Sequence, residues 1–293
     1  MDNWKRNRRL ATLCLGMLLF STAASFAQEK KLDPVEVLTT KEGIRFGIWP
    51  AKPKEPAPVL IVLANSIEGT LGDEYFRMAG NSLSQKGYFC VTIDLPCHGQ
   101  EQRPDEPAGL DGWRHRLEND DNFVAETNKK LSAVLDHLID AGWADKDRIA
   151  AIGTSRGGFM ATHFAAAEPR VRCVAAIAPV ADLTDLREFV DVKNKDLVDQ
   201  LALEHLAEKL AGRGVWMIIG DRDDRVNTDR TVALARRLTS KSLELGKPAL
   251  VDLYVISEPQ GHTTPRWAWS CEQAADWIER HLTAEASSAP SQK

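Results

Sequence analysis

A serine lies between two closely spaced glycines near the middle of the chain, in the segment Gly153-Thr154-Ser155-Arg156-Gly157. Serine is a weak nucleophile at neutral pH, and it becomes reactive when a base takes its proton and a third group orients that base. A nucleophile on a tight strand-to-helix turn needs small neighbours, because other backbone passes close to the turn. The spacing therefore predicts that Ser155 is a nucleophile.

The chain contains seven histidines that could serve as the base for Ser155, at positions 98, 115, 137, 163, 205, 262 and 281. Only His262 follows Ser155 in a loop beyond a predicted buried strand. His163, His205 and His281 fall on predicted helices, where packing or solvation accounts for a histidine. We therefore expect His262 to be the general base.

Three aspartates share the loop after the preceding predicted strand, at positions 221, 223 and 224. A carboxylate in such a loop can hold the imidazole in the orientation that catalysis requires. The residues alone leave the choice among the three open. The spacing of Asp221 and Asp223 also suggests a calcium loop, but the glycine and distal glutamate of an EF-hand are missing. We expect neither a metal nor a cofactor.

Short apolar runs alternate with helical segments between residues 59 and 281. Strands are predicted at 59–63, 88–94, 148–153, 171–178, 215–220 and 249–256, and helices at 73–86, 120–141, 155–167, 228–245 and 266–281. The alternation predicts an α/β fold with a doubly wound, mostly parallel sheet flanked by helices. A hairpin of residues 35–40 and 44–49 supplies antiparallel N-terminal edge strands. Ligands bind at the carboxyl ends of such strands, where all three candidate positions lie.

Three blocks resemble those of the α/β-hydrolase superfamily, in its prolyl-oligopeptidase and dienelactone-hydrolase branches: residues 153–158, residues 220–226, and Gly261-His262. The segment 94–99 resembles the loop after the second central strand of many esterases. Together these cover most of the chain from 59 to 281, and they imply an α/β-hydrolase fold and a serine hydrolase. In similar blocks the first of two paired aspartates is the triad acid. The resemblance thus implies Asp223 for that role, with Asp224 as a loop stabiliser or salt-bridge partner.

Acyl transfer also needs hydrogen-bond donors for the developing oxyanion. One is expected to be the backbone N–H of Arg156, directly after the nucleophile. The second is expected from the loop after strand 59–63, at Ser66 first and Ile67 next, with help from the Asn65 side chain. The apparent relatives usually carry His-Gly where this chain has Ala64-Asn65, and a backbone donor survives that change.

Two segments are expected to border the substrate. Residues 99–119 are predicted to form a polar loop that rims the site, where Trp113 packs against substrate and Arg114 or Arg116 binds a carboxylate. The alternative, that these residues only anchor a long loop, stays equally open. Residues 182–211 are predicted to form one or two helices that can act as a short cap, and His98 is expected to be structural.

The first 27 residues are predicted to be a signal peptide. Four basic residues precede an apolar run, 10–20, that is too short to span a bilayer, and Ser25-Phe26-Ala27 fits a cleavage site. Cleavage leaves a hydrolase domain at 28–283 and a polar tail at 284–293 that is expected to be disordered. We therefore expect an exported protein, periplasmic or secreted, with no stable membrane insertion after cleavage.

Charge narrows the range of partners. The net charge of −5 becomes about −8 when the signal peptide, with four basic residues and one acidic, is removed. A surface that acidic excludes nucleic acid as an expected partner, because nucleic acid selects for basic patches. A small-molecule ester is the expected substrate.

Three functions remain on sequence grounds. The first is an esterase that works through an acyl-enzyme. The second is a peptidase that acts on small peptides, which is less favoured because oligopeptidases of this kind carry another domain ahead of the hydrolase, and only some thirty mature residues precede Val59. The third is a non-catalytic binding protein on the same fold.

Overall fold

The computed structural model describes residues 34–257, 262 and 267–288. An eight-stranded sheet forms its centre, in the spatial order β1-β2-β4-β3-β5-β6-β7-β8. The strands are β1 Glu36–Thr39, β2 Arg45–Trp49, β3 Ala57–Leu63, β4 Phe89–Thr92, β5 Ala144–Thr154, β6 Val171–Ile177, β7 Gly214–Gly220 and β8 Val251–Ile256. The β1–β2 and β2–β4 pairs are antiparallel and all the others are parallel. The predicted mostly parallel sheet with antiparallel N-terminal strands is confirmed.

Helices cover the two faces of this sheet. They are α1 Ile67–Gly72, α2 Glu74–Ser84, α3 Gly109–Glu118, α4 Phe123–Asp140, α5 Arg156–Ala167, α6 Lys195–Gln200, α7 Ala207–Leu210, α8 Thr228–Glu244 and α9 Trp267–Ser288. Short 3₁₀ turns lie at Gly99–Glu101, Leu183–Asp185, Arg187–Phe189 and Leu203–Leu206.

Side chains along each central strand point alternately to the two faces of the sheet, and this alternation accounts for a hydrophobic core on each face. In β3, Val59 and Ile61 belong to the core on one face, which α3, α4, α5 and α8 cover, whereas Leu60 and Val62 belong to the core on the other face, which α1, α2 and α9 cover. A strand buried on both faces reads as a continuous apolar run, because successive side chains point in opposite directions. The same packing places every loop after a parallel strand at one edge of the sheet.

The prediction of a loop at 99–119 is wrong for the second half of that segment, because residues 109–118 form α3. The apolar residues Leu110, Trp113 and Leu117 are spaced by three and four positions and all are buried, which is the pattern of one face of a helix. The prolines just before them, at 104 and 107, concealed that short period. Residues that looked like a polar rim therefore contribute to the core.

Two further segments differ from expectation. Residues 182–211 contain three 3₁₀ turns and the short helices α6 and α7, in place of one or two longer helices. Helix α9 continues to Ser288, so the expected disorder from 284 is wrong for 284–288, whose alanines and glutamate favour helix. Residues 289–293 lie outside the described residues, as does the predicted signal peptide. Within the described ranges, none of the helices combines the length and apolarity that crossing a bilayer requires.

Candidate active site

Ser155 lies where β5 turns into α5, and its backbone has φ +54° and ψ −118°. A non-glycine residue seldom adopts positive φ, and such strain persists only where the surroundings impose it. Here the Ser155 N–H donates to the Ile177 carbonyl at 2.9 Å, and its carbonyl accepts from Phe159 and Val180 at 3.1 and 3.2 Å. The hydroxyl makes no capping bond to α5, so the helix does not use it.

The flanking glycines are required by close backbone contact. A Cβ at Gly153 would overlap the backbone of Gly157, and a Cβ at Gly157 would overlap the carbonyl of Leu63. The turn therefore packs against its own helix on one side and against the end of β3 on the other. This is the crowding that the spacing of the glycines indicated, and it brings the loop after β3 next to Ser155.

Asp223 is held by its own loop after β7 and is 3% exposed. Its Oδ1 accepts the backbone N–H groups of Arg225 and Val226, each at 3.1 Å. Thr228 closes the loop, because its hydroxyl donates to the Gly220 carbonyl at 2.6 Å and accepts the Asp223 N–H at 3.1 Å. These bonds leave Oδ2 free to meet a partner from another loop.

That partner is His262, whose Nδ1 lies 2.9 Å from Asp223 Oδ2. Since an ionised carboxylate only accepts, Nδ1 carries the proton, and in the neutral ring Nε2 has a free lone pair. Asp224, by contrast, is exposed. The hydrogen bonds among the described residues do not include one between Ser155 Oγ and His262. Gly261 lies outside the described residues.

The loop after β3 is organised by Asp94, whose role sequence reasoning missed. Asp94 Oδ1 accepts the Ile67 N–H at 2.7 Å, and its Oδ2 accepts Gln100 N–H and Arg45 Nη1, both at 3.2 Å. Burial raises the pKa of the Asp94 carboxyl. A charged residue at the end of a predicted buried strand, 88–94, was the available signal.

This arrangement removes one of the expected oxyanion donors. The Ile67 N–H is already bound to the Asp94 carboxylate, so the expectation that it serves as the alternative donor is wrong. Ser66 is the N-cap of α1, and its Oγ accepts from Gly69 N at 3.0 Å. Asn65 Oδ1 accepts from the Thr70 hydroxyl at 3.4 Å. Ser66 thus remains the candidate in this loop, through its backbone N–H.

The expected substrate contacts of the 99–119 segment are replaced by internal ones. Trp113 is fully buried and its indole donates to the Pro96 carbonyl at 2.7 Å. Arg116 forms a buried two-pronged pair with Glu106, at 2.7 and 2.9 Å. The anchoring interpretation is the one that the structure supports for both residues.

The side chain of Arg114 is also bound by partners within the protein. Its guanidinium binds Glu118 at 3.1 Å and donates to the backbone carbonyls of residues 188, 190 and 191 at 3.0–3.3 Å. It therefore ties α3 to the 182–211 segment. Neither arginine that was expected to meet a substrate carboxylate has its charge free to do so.

The sequence model of the prolyl oligopeptidase family matches residues 109–284, which is more than half of the chain. The chain belongs to the prolyl oligopeptidase family. It is accordingly a serine hydrolase, and the blocks around Ser155, Asp223 and His262 all fall within the matched range.

A stretch of 125 residues is 31% identical to Esterase FrsA of Yersinia pestis (strain Pestoides F), and it covers 42% of this chain. The same stretch covers 26% of that esterase, so the chain spans about a quarter of the length of the curated relatives that it matches. The likeness is therefore to one part of a longer protein.

Solved structures share the fold of this prolyl oligopeptidase family member at low sequence identity. TT1662 from Thermus thermophilus has a TM-score of 0.64 at 16% identity, over 85% of this chain and 98% of that one. The Pyrococcus furiosus esterase Pf2001 has a TM-score of 0.59 at 17% identity, over 86% and 92%. A putative dipeptidyl aminopeptidase IV from Bacteroides ovatus has a TM-score of 0.62 at 17% identity, over 84% of this chain and 35% of its own.

Proposed function

We propose that this chain is an exported esterase that hydrolyses carboxylic esters through an acyl-enzyme on Ser155. The observation that carries the proposal is the 2.9 Å bond from His262 Nδ1 to the buried Asp223 carboxylate. A buried carboxylate with one oxygen held by two backbone N–H groups has a fixed direction, so it fixes the tautomer of the histidine as well. The strained elbow at Ser155 is the second support.

In the first half of the reaction, Ser155 Oγ attacks the ester carbonyl carbon while its proton passes to His262 Nε2. The tetrahedral intermediate collapses, the bond to the alcohol oxygen breaks, and the departing alcohol takes the proton from His262. In the second half, His262 takes a proton from water, the hydroxide attacks the acyl carbon, and the proton returns to Ser155 as the acid product leaves. Catalytic hydrogen bonds often tighten only when substrate binds.

The oxyanion that forms in each half needs donors, for which we propose the backbone N–H groups of Arg156 and Ser66. Arg156 opens α5, where helix N–H groups lack internal partners. Ser66 lies on the loop that crosses Gly157 at the end of β3. Removal of one such donor in a serine hydrolase costs a factor of roughly 10² to 10³ in kcat.

An ester is preferred to a peptide as the substrate because the curated relative is named an esterase, and so is one structural neighbour of nearly equal length. Small peptides are the second candidate, because the family is that of prolyl oligopeptidases and one structural neighbour is named a putative dipeptidyl aminopeptidase IV. Export rests on the N-terminal signal pattern, which predicts a mature chain that begins at Gln28. N-terminal analysis of protein from the periplasm or medium tests that start.

Fluorophosphonate labelling of the purified protein tests the nucleophile. We expect the wild type to be labelled on Ser155 and the Ser155→Ala variant to be unlabelled, because the probe reacts only with an activated serine. Folding of the variant is checked by circular dichroism. An unlabelled wild type would indicate the non-catalytic binding protein, and undiminished labelling of Ser155→Ala would place the nucleophile elsewhere.

A substrate panel then separates esters from peptides. It compares p-nitrophenyl esters of different chain length, acetylated sugars and aminoacyl anilides by kcat/KM. We expect the esters to be cleaved best. A clear preference for the anilides would replace the esterase proposal with the peptidase.

A further inference from the structure

The side chain of Arg156 presents a positive charge in an unfavourable place. Arg156 is the first residue of α5 and the next residue after Ser155, and it is only partly exposed. The N-terminus of a helix carries a partial positive charge, so it favours anions and disfavours cations. The first turn of α5 contains no acidic residue that would offset the guanidinium.

Across the described part of the chain, Arg156 forms no ion pair with a carboxylate. Its guanidinium donates a hydrogen bond from Nη1 to His98 Nε2, at 2.8 Å. The negative charge of Glu188 acts on the Arg156 guanidinium, but Glu188 is itself paired with Arg225, at 2.7 Å. Burial lowers the pKa of the Arg156 guanidinium, and the charge of Arg225 lowers it further. Among the described residues, the positive charge is thus held next to Ser155 without an ion-pair partner of its own.

His98 holds this guanidinium in position as a neutral acceptor. Its Nδ1 lies 2.8 Å from the Pro96 carbonyl, which can only accept, so Nδ1 carries the proton and Nε2 offers its lone pair to Arg156. Burial lowers the pKa of His98 to about 4, so the ring stays neutral at ordinary pH. A neutral imidazole orients the arginine without cancelling its charge.

Three other arginines that are buried or half-buried each have a carboxylate partner. Arg116 is paired with Glu106, Arg225 with Glu188, and Arg114 with Glu118. A desolvated charge without a partner is costly, and proteins retain one chiefly where function supplies the partner. His98 accepts a hydrogen bond from one of the five guanidinium N–H groups, so the remaining donors can still bind a carboxylate through two hydrogen bonds.

We propose that Arg156 is a specificity residue that binds a second carboxylate of the substrate, so that the preferred esters are anionic. The inference rests on the proposed function, because it places the substrate's reacting carbonyl at Ser155. His98 is then a positioning residue for Arg156. An ester of a dicarboxylic acid, or of an alcohol that itself carries a carboxylate, has the required chemistry.

Two matched pairs of substrates test this proposal. One pair compares 4-nitrophenyl hydrogen glutarate with 4-nitrophenyl pentanoate, and the other compares 3-carboxy-4-nitrophenyl butyrate with 4-nitrophenyl butyrate, with spontaneous hydrolysis subtracted. In at least one pair we expect the wild type to favour the anionic ester in kcat/KM by roughly 10-fold or more, as a charge-assisted bond allows. The pair that shows the preference tells whether the carboxylate lies on the acyl or the alcohol side.

The readout for the variants is the ratio of kcat/KM for the anionic ester to that for its neutral match. Arg156→Met should lower this ratio by roughly 10- to 100-fold, and Arg156→Lys should give an intermediate value. Arg187→Met is the matched control, because it removes the same charge from a side chain that is 84% exposed. Its ratio should stay within about 2-fold of the wild type, as for other surface changes.

His98 is tested by rescue. His98→Leu should lower the ratio, and His98→Gln should restore part of it, because a glutamine oxygen can accept from Arg156 where Nε2 did. Equal loss in both variants would show that His98 only packs. A wild type without preference in either pair, or an Arg156→Met variant with an unchanged ratio, would overturn the carboxylate proposal.

Fluorophosphonate labelling of the same preparations keeps the two proposals apart. If the wild type is not labelled, the serine hydrolase assignment of Ser155 fails, and the carboxylate proposal fails with it. If wild type and variants are labelled while the ratios stay equal, the esterase proposal stands and only the role of Arg156 is wrong.

Discussion

The loop that carries Asp223, residues 221–227, and the rim segment, defined as residues 99–119, are held together in different ways. The loop of Asp223 is closed by hydrogen bonds that span two to eight positions, among them those of Oδ1 to the next backbone N–H groups. The rim segment depends on side chains that reach far along the chain. Arg114 alone binds carbonyls 74 to 77 positions away.

This difference has consequences for both function and stability. A loop that is closed by hydrogen bonds among its own residues can hold a carboxylate in place independently of distant segments. A segment that is held by charged side chains depends on each charge having its partner, because an unpaired buried charge is costly. Changes in the first region should therefore affect rate most, and changes in the second should affect stability most.

The largest expected effect follows from a change at the carboxylate of Asp223, the proposed triad acid. Asp223→Asn should lower kcat by about 10⁴-fold, because an asparagine amide that donates to Nδ1 favours the wrong tautomer of His262. Asp224→Asn is the matched control, and its exposed side chain should change kcat by about 2-fold or less. Steady-state kinetics on p-nitrophenyl esters measures both. A large loss in Asp224→Asn with little in Asp223→Asn would reassign the acid.

The next effect concerns the buried ion pair of the rim segment. Glu106→Gln leaves the Arg116 charge unpaired at a side chain that is 3% exposed, and should lower the free energy of unfolding by about 3–5 kcal/mol. Glu126→Gln removes a carboxylate from an exposed pair with Lys130 and should cost about 1 kcal/mol or less. Urea denaturation of both variants provides the comparison. Equal losses would contradict the distinction between buried and exposed pairs.

The stability that the Glu106–Arg116 pair contributes should depend on pH in a definite direction. Its bonds to Arg116 lower the pKa of Glu106 from 4.5 to about 2 in the folded protein. The pair therefore stabilises the fold fully above pH 4.5, and this stabilisation is lost as pH falls towards 2. The stability of Glu106→Gln should fall less steeply across that window than the stability of the wild type. Parallel curves would show that Glu106 does not titrate with a lowered pKa.

The success of prediction from sequence follows the same difference between local and long-range contacts. Ser155 and its glycines, and the aspartate loop, are recognisable because the residues that shape each turn are close neighbours in sequence. His262 could be predicted from its place after a strand. The choice of Asp223 over Asp224 came from the family resemblance, and the structure explains it by burial and by the two N–H groups that hold Oδ1.

The failures lie where distant parts of the chain meet. Nothing near Ile67 in the sequence shows that its N–H is taken by Asp94, 27 positions later. The helical face of Leu110, Trp113 and Leu117 was hidden by the prolines before it. Likewise, which arginine keeps its charge unpaired depends on which carboxylates fold against each one, and that is a tertiary property.

The smallest predicted effect concerns Gly157, and it tests whether close backbone packing determines the shape of the turn at Ser155. Gly157→Ala forces a Cβ against the Leu63 carbonyl, so the backbone must shift, and the free energy of unfolding should fall by about 1–3 kcal/mol. Because the same shift moves Ser155 relative to the loop after β3, the rate of fluorophosphonate labelling should fall as well. Gly72→Ala is the control, since a Cβ there meets no atom within 4 Å and alanine favours the helix. If Gly157→Ala were as stable and as reactive as Gly72→Ala, close approach to β3 would not be what demands a glycine at 157.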